Sequence, residues 1–251
     1  MTGDRSPLPA ADPPPPDRGP TGAGKLAVGA LVAVGLVVAV TTVLGGYARH
    51  TTETFGYPDE AVTVVVVTGD AGDIRVRHIQ GDAPQVRVTR TVSSSSLSPR
   101  VDARLTGGTL TLTARCWPPG VGTCSVDYEI EVGDRQAAYR LHSTSGDVEM
   151  SWAAPEVEAV ADAGSVTLTN AGGRVTATAA GDVRVTCLVH PVYLGGFSTR
   201  GSVALRLPQG PGYNVSTATR GGRVRVDVAR QEGGAMQIVA GTTDGDITVT
   251  N

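Results

Sequence analysis

The chain has 251 residues, a formal net charge of −3 and only 4% aromatic residues. That length allows one large domain or two small ones, and the slight acidity leaves no basic footprint for nucleic acid. With so few aromatics the core must come from Val, Leu, Ile and Ala. Abundant Val and Thr favour strands, because a branched β-carbon packs well on a pleated surface.

Residues 1–24 hold seven prolines, four of them consecutive (Pro13 to Pro16), and almost nothing apolar. Proline lacks a backbone donor, so residues 1–25 are expected to be a disordered, partly polyproline-II tail. Within it "GPTGAGKL" nearly spells a phosphate-cradling loop. That loop needs a strand before it, a helix after it and a hydroxyl for magnesium, whereas this chain puts a proline run before it and Leu26 at the hydroxyl position. Nucleotide binding is rejected.

An uncharged run, "LAVGALVAVGLVVAVTTVLGG", fills residues 26–46. At about 1.5 Å per residue a helix of this length covers the roughly 30 Å hydrocarbon core of a bilayer. A cleavable leader, with Gly46-Tyr47-Ala48 as its cleavage site, competes with this reading. Its apolar region would be shorter, about 7–15 residues, and an uncleaved transmembrane helix over 26–47 fits better. Arg18 and Lys25 precede the span and Arg49 follows it. The positive-inside rule therefore puts the proline-rich tail in the cytoplasm and everything after a 48–60 linker outside the cell.

Residues 61–136 read as successive short strands, "AVTVVVVT", "DIRVRH", "QVRVTRTV", "RVDARL", "TLTLTARC" and "SVDYEIEV", divided by Gly, Pro and Ser turns. That spacing predicts a sandwich-like β region. Cys116 and Cys124 end the loop "CWPPGVGTC", whose prolines and glycines can reverse the chain, a pattern that suits a disulfide outside the cytoplasm. A zinc site is the rival reading, but no histidine lies nearby. Cys187 follows Val183 and Val185 at a spacing of two and reads as a small buried apolar residue.

Over 137–251 one phrase recurs: "STSGDVEM", "DAGSVTLT", "NAGGRVTA", "AAGDVRVT", "STRGSVAL", "ATRGGRVRV" and "TTDGDITVT". Aligned on glycine, the repeats fall at Gly146, Gly164, Gly173, Gly181, Gly201, Gly222 and Gly245, with an earlier relative at Gly72. After each glycine, polar and apolar residues alternate, which means a strand with one dry face. Val148, Met150, Val166, Leu168, Val175, Val183, Val185, Val203, Leu205, Val224, Val226, Ile247 and Val249 would line that face. One such unit cannot bury its apolar face alone, but stacked units can. The expectation is all-β, with β-solenoid-like stacked coils over 137–251, glycines at the corners, and the sandwich-like 61–136 either separate or continuous with them.

The "SGDV" repeat after an apolar span resembles the family of bacterial β-strand-repeat domains named putative adhesins, here of an actinobacterial type given the bias to Arg over Lys. The likeness covers about 60–251. It is strongest at Tyr128-Glu129-Ile130-Glu131-Val132, Ser145-Gly146-Asp147-Val148 and Asp244-Gly245-Asp246-Ile247, and weakest at "LVHPVYLGGF". It implies a fold and hands over no catalytic residue.

Enzyme motifs are scarce, with no G-x-S-x-G elbow, H-E-x-x-H or Cys-x-x-Cys. His50, His78, His142 and His190 are dispersed. Asp73, Asp147, Asp182 and Asp246 each follow a repeat glycine; turn capping explains them better than a calcium ladder, because the denser calcium-binding nonapeptide frame is absent. Trp152 has the parity of Val148 and Met150, hence core, while Trp117 is open. No cofactor or metal is called for.

The reading is a non-catalytic, single-pass membrane protein whose external C-terminal part contacts a cell-surface macromolecule or another protein. The alternative is an envelope-stress sensor relaying through the cytoplasmic tail, with a wall-polymer enzyme as a distant third. The chain runs to Asn251 on a strand, so either an unusually short terminal strand or self-association through an exposed C-terminal coil is also expected.

Overall fold

The computed structural model describes residues 49–57, 62–79, 86–95, 98–117, 122–133 and 137–251. The tail over 1–25, the span over 26–47 and the ends of the expected linker lie outside the described residues. Among the described residues no helix is long and apolar enough to cross a membrane. Every described element is a strand. The first seven are β1 (Arg49–Tyr57), β2 (Val64–Gly69), β3 (Ile74–His78), β4 (Val86–Ser94), β5 (Arg100–Thr106), β6 (Thr109–Arg115) and β7 (Cys124–Val132). Next come β8 (Ala138–Ser143), β9 (Val148–Met150), β10 (Glu156–Ala161), β11 (Val166–Ala171), β12 (Arg174–Ala179) and β13 (Val183–Cys187). The last six are β14 (Tyr193–Ser198), β15 (Val203–Arg206), β16 (Asn214–Gly221), β17 (Val224–Asp227), β18 (Gln237–Asp244) and β19 (Ile247–Thr250).

The strands form two sheets. One has ten strands in the order β1-β4-β7-β3-β9-β11-β13-β15-β19-β17, and the other has nine in the order β16-β18-β14-β12-β10-β8-β2-β6-β5. From β6 onward consecutive strands alternate between the sheets, so each pair makes a rung with one strand in each. Pairing between rungs is parallel and in register, as in Val166↔Val183 and Val175↔Leu194. Antiparallel pairing is confined to β1·β4, β4·β7 and β5·β6.

Period-two alternation turns the valines into inward columns, because successive side chains of a strand point to opposite faces. In the ten-stranded sheet Ile74, Val148, Val166, Val183, Val203 and Ile247 stand in one column, each no more than 1% exposed. Parallel sheets favour burial of such branched residues. The nine-stranded sheet answers with Leu110, Val65, Tyr139, Val157, Val175, Leu194 and Ile238. Toward the strand ends its inward residues shrink to Ala114, Gly69, Ser143, Ala161, Ala179, Ser198 and Thr242. Only short links join these ends to the opposite sheet.

Four sequence expectations need correction. Most of the 48–60 linker is strand β1, paired antiparallel to β4, with Thr52 opposite Thr91 and Thr54 opposite Thr89. An edge strand needs no continuous apolar face, so its threonines concealed it. Phe55 packs partly against the core beneath the Arg90 guanidinium, and Glu53 ion-pairs with Arg90. The sandwich-like region over 61–136 is also different: β2, β3, β6 and β7 are parallel members of the same two sheets as the later strands.

The chain order is not the stacking order. β2 and β3 lie between β6/β7 and β8/β9, and β18 and β19 lie between β14/β15 and β16/β17. The strand ending at Thr250 is therefore paired on both sides, with Leu205 and Val226 flanking Val249, and offers no edge for self-association. The edge rung is β16/β17. Here Val224, expected on the dry face, is 44% exposed and Val226 half-buried, because no further rung covers them.

Candidate functional site

The recurring glycine-polar phrase builds a ladder along one corner of the stack. Each rung's aspartate or serine accepts a hydrogen bond from the backbone amide at the same position of its neighbour. Asp127 Oδ1 accepts from Asp73 N (2.8 Å), Asp73 Oδ1 from Asp147 N (2.9 Å), and Asp147 Oδ1 from Ser165 N (2.8 Å). The series continues through Ser165 Oγ to Asp182 N, Asp182 Oδ1 to Ser202 N, Ser202 Oγ to Asp246 N, and Asp246 Oδ1 to Arg223 N. These aspartates therefore cap the turn of the next rung, not their own. At Arg223 the position has no acceptor to pass on, and the ladder stops at the edge rung.

The glycines beside the ladder are demanded by close approach. A Cβ on Gly164 would lie 2.6 Å from the carbonyl carbon of Gly146 and nearer still to its oxygen. Gly146, Gly201, Gly245 and Gly222 meet the backbone of the neighbouring rung's glycine in the same way, Gly72 meets Val126, and Gly181 meets Ser165 Oγ at 2.7 Å. Gly173 departs from the alignment. It opens β12 at the opposite corner, with φ +69°, where a Cβ would strike the carbonyl oxygen of Pro155. A second set of bonds ties the corner across the sheets: Ser143, Ser198 and Thr242 hydroxyls donate to the carbonyls of Gly72, Gly181 and Gly201 at 2.7–2.8 Å.

Cys116 and Cys124 form a disulfide (Cα–Cα 5.9 Å) bridging the end of β6 to the start of β7. Cys187 is free and buried, and burial pushes its thiol up to about 12. The histidines do not converge. His50 meets Ser93, His142 Nε2 lies 2.8 Å from Asp162, and His190 Nδ1 meets the Tyr213 hydroxyl at 2.8 Å. Because that hydroxyl donates its one proton to Pro208 O, His190 Nδ1 is the donor in this pair. His78 stacks on Trp152 with ring centroids 3.8 Å apart, so Trp152 is a partly buried neighbour of the core and not a member of it. Trp117 is 71% exposed beside the disulfide. Among the described residues no group of three or more His, Cys, Asp or Glu could hold a metal ion.

The outer face of the ten-stranded sheet carries a lattice of ion pairs: Arg75 with Asp73 and Glu149, Arg77 with Glu129, and Arg87 with Glu131. Two open depressions of about 260 and 300 Å³ flank Arg75. Such exposed pairs add little stability, typically about 0–1 kcal/mol each, but they fix the charge pattern of the face. On the nine-stranded sheet Arg140 pairs with Glu158, His142 with Asp162, and Arg104 with Asp102 near the β5 edge. Sequence reasoning missed what the rest of that face carries, because "LVHPVYLGGF" reads as an interruption of the repeat.

No family model matches the chain, and no curated protein does. Among solved structures, a putative cell adhesion protein from Clostridium sporogenes superposes with a TM-score of 0.51 at 11% identity, covering 81% of this chain and 99% of that one. The likeness is one of fold. A putative adhesin from Bacteroides fragilis gives a TM-score of 0.38 at 12% identity (79% and 97% covered). A putative lipid binding protein from Parabacteroides distasonis gives 0.32 at 10% (78% and 96% covered).

Proposed function

We propose that the protein is a non-catalytic β-solenoid, held at the membrane by residues 26–47, that presents its sheet faces outside the cell to a surface macromolecule or another protein. The turn ladder carries this reading. The carboxylates that recur along the chain are committed to holding rung on rung, through bonds of 2.8–2.9 Å from backbone amides, so the repeat builds a scaffold and leaves two sheet faces as its working surfaces. Stacked repeats supply long regular surfaces suited to extended partners. The Cys116–Cys124 disulfide fits an oxidising compartment, and the fold likeness to a protein described as a putative cell adhesion protein points the same way.

Protease treatment of intact cells expressing the full-length chain tests the topology. Cleavage of the exposed 228–236 loop from outside, with the 1–25 tail intact, is the expected result. Protection of that loop together with digestion of the tail would reverse the orientation and remove the surface role.

A further inference from the structure

Parallel register brings together, on the outer face of the nine-stranded sheet, residues that lie far apart in the chain. Tyr193, Gly195 and Phe197 of β14 stand between Arg174, Thr176 and Thr178 of β12 and Gln237, Val239 and Gly241 of β18. Beyond β18 come Asn214, Ser216 and Ala218 of β16. Among these twelve positions Arg174 is the one formal charge, and its guanidinium sits 5.5 Å from the Tyr193 ring centroid. The neighbouring strands β8 and β10 carry Arg140, His142 and Glu158 at the matching positions. The face thus changes from paired ions to a stripe that is neutral but for Arg174 at one end and Arg220 on β16.

The glycines shape this neutral part. A Cβ on Gly195 would lie 2.9 Å from Phe197 Cε2 and 3.0 Å from the Tyr193 hydroxyl oxygen; one on Gly241 would lie 3.2 Å from Phe197 Cδ1. Both rings therefore lean inward over Gly195 and meet above it. Their Cα atoms are about 13 Å apart along the strand, and the rings close that gap above Gly195 to make one continuous aromatic floor. Amides and hydroxyls rim the floor.

An aromatic floor with a neutral hydrogen-bonding rim matches a polymer whose units pair an apolar ring face with equatorial hydroxyls. An anionic polymer would find Arg174, already held against Tyr193, and Arg220 at the far end of β16, beside an acidic neighbourhood at Glu156 and Glu158. A flat apolar peptide would leave Thr176, Gln237 and Asn214 unpaired, which is unfavourable once they are desolvated. We infer that the stripe centred on Tyr193 and Phe197 is a docking platform for a neutral polysaccharide, a sugar ring stacking on Phe197 beside the Arg174-covered Tyr193. This rests on the proposed surface role and names the class of partner.

The test uses full-length chain in a sugar-free detergent, titrated calorimetrically with cellohexaose, maltohexaose and mannohexaose, and with heparin as the polyanion. Saturable binding of at least one neutral hexasaccharide is expected. Phe197→Leu keeps apolar cover over the glycines but removes the ring, and should weaken that binding about tenfold; Phe197→Tyr should stay within about twofold. Gly195→Thr supplies a good strand residue yet lifts both rings, so it should also weaken binding about tenfold with no loss of thermal stability. No saturable binding of any neutral probe, heparin as the preferred ligand, or unchanged binding in Phe197→Leu would overturn the inference. Should the cell-surface protease experiment succeed while these titrations fail, the platform falls and the surface role stands. Protection from protease would remove the surface role whatever the titrations show.

Discussion

Replacing Gly164 by alanine tests whether the recurring glycines serve packing between rungs. Gly164 has no left-handed backbone, so the added methyl acts through space alone. Its Cβ would sit 2.6 Å from the Gly146 carbonyl carbon and 2.8 Å from Asp147 Oδ1. Ordinary carbon contacts lie at about 3.5–4.0 Å, so the two rungs must part by roughly 1 Å at this corner. The bonds there have little slack: Ser165 N to Asp147 Oδ1 is 2.8 Å, and Val148 N to Ser165 O is 3.0 Å. Stretched by such a shift they cease to be hydrogen bonds, at about 1 kcal/mol each. With an overpacking strain of about 1–3 kcal/mol, the expected loss is about 3–5 kcal/mol. For a domain of this size that lowers the thermal midpoint by about 10 °C or more. The control is Gly69→Ala, where an added Cβ meets nothing within 4 Å and the backbone is not left-handed. It should leave the midpoint unchanged or raise it slightly, because alanine restricts the unfolded chain. Circular dichroism melts of the full-length variants would decide. Equal melting of Gly164→Ala and wild type, or a Gly69→Ala variant as damaged as Gly164→Ala, would refute the packing argument.

The bridge closing the loop from Cys116 to Cys124 should be worth about 2–3 kcal/mol from loop entropy; replacing both cysteines by serine must then lower the melting midpoint, and an unaltered midpoint would count against it. Alkali should unfold the protein. Burial raises Cys187 from 9.0 and Tyr128 from 10.0, each to about 12, so the unfolded chain gives up these protons first. Their contribution is intact below pH 9 and is lost as the pH climbs toward 12, which urea midpoints measured across that window should reveal. Arg223→Asp would extend the ladder past its last acceptor, and sedimentation velocity should then show more self-association than wild type at the same concentration; a variant that associates no more than wild type would show that Arg223 is not the stop.

Much of the fold was legible because a two-residue period leaves little choice of face. Val183 and Val185 share a parity, and both are buried. Stacking order was not legible for a specific physical reason. Every rung but the β16/β17 edge offers the same kind of acceptor, Asp or Ser, to the same kind of amide, so "DGDI" at 244–247 matches any of them equally well and does not declare that it belongs between Gly201 and Gly222. Gly173 misled because a glycine followed by alternating residues suits either corner. The threonine-rich β1 escaped because edge strands need little apolar surface. As for the candidate site, Tyr193 and Phe197 sit where the repeat looks damaged, and only the register reveals Gln237 and Asn214 beside them.

The position of β18 and β19 bears on how the molecule is made and broken. During synthesis β16 and β17 emerge before the strands that join them to the rest, so they must wait beside an unfilled gap. A ribosome that stalls near residue 236 would release a chain lacking a layer from its interior. By the same logic, a nick in the 228–236 segment frees a wedge from between two neighbours, and damage there would split the stack internally where loss of an outer strand would only shorten it.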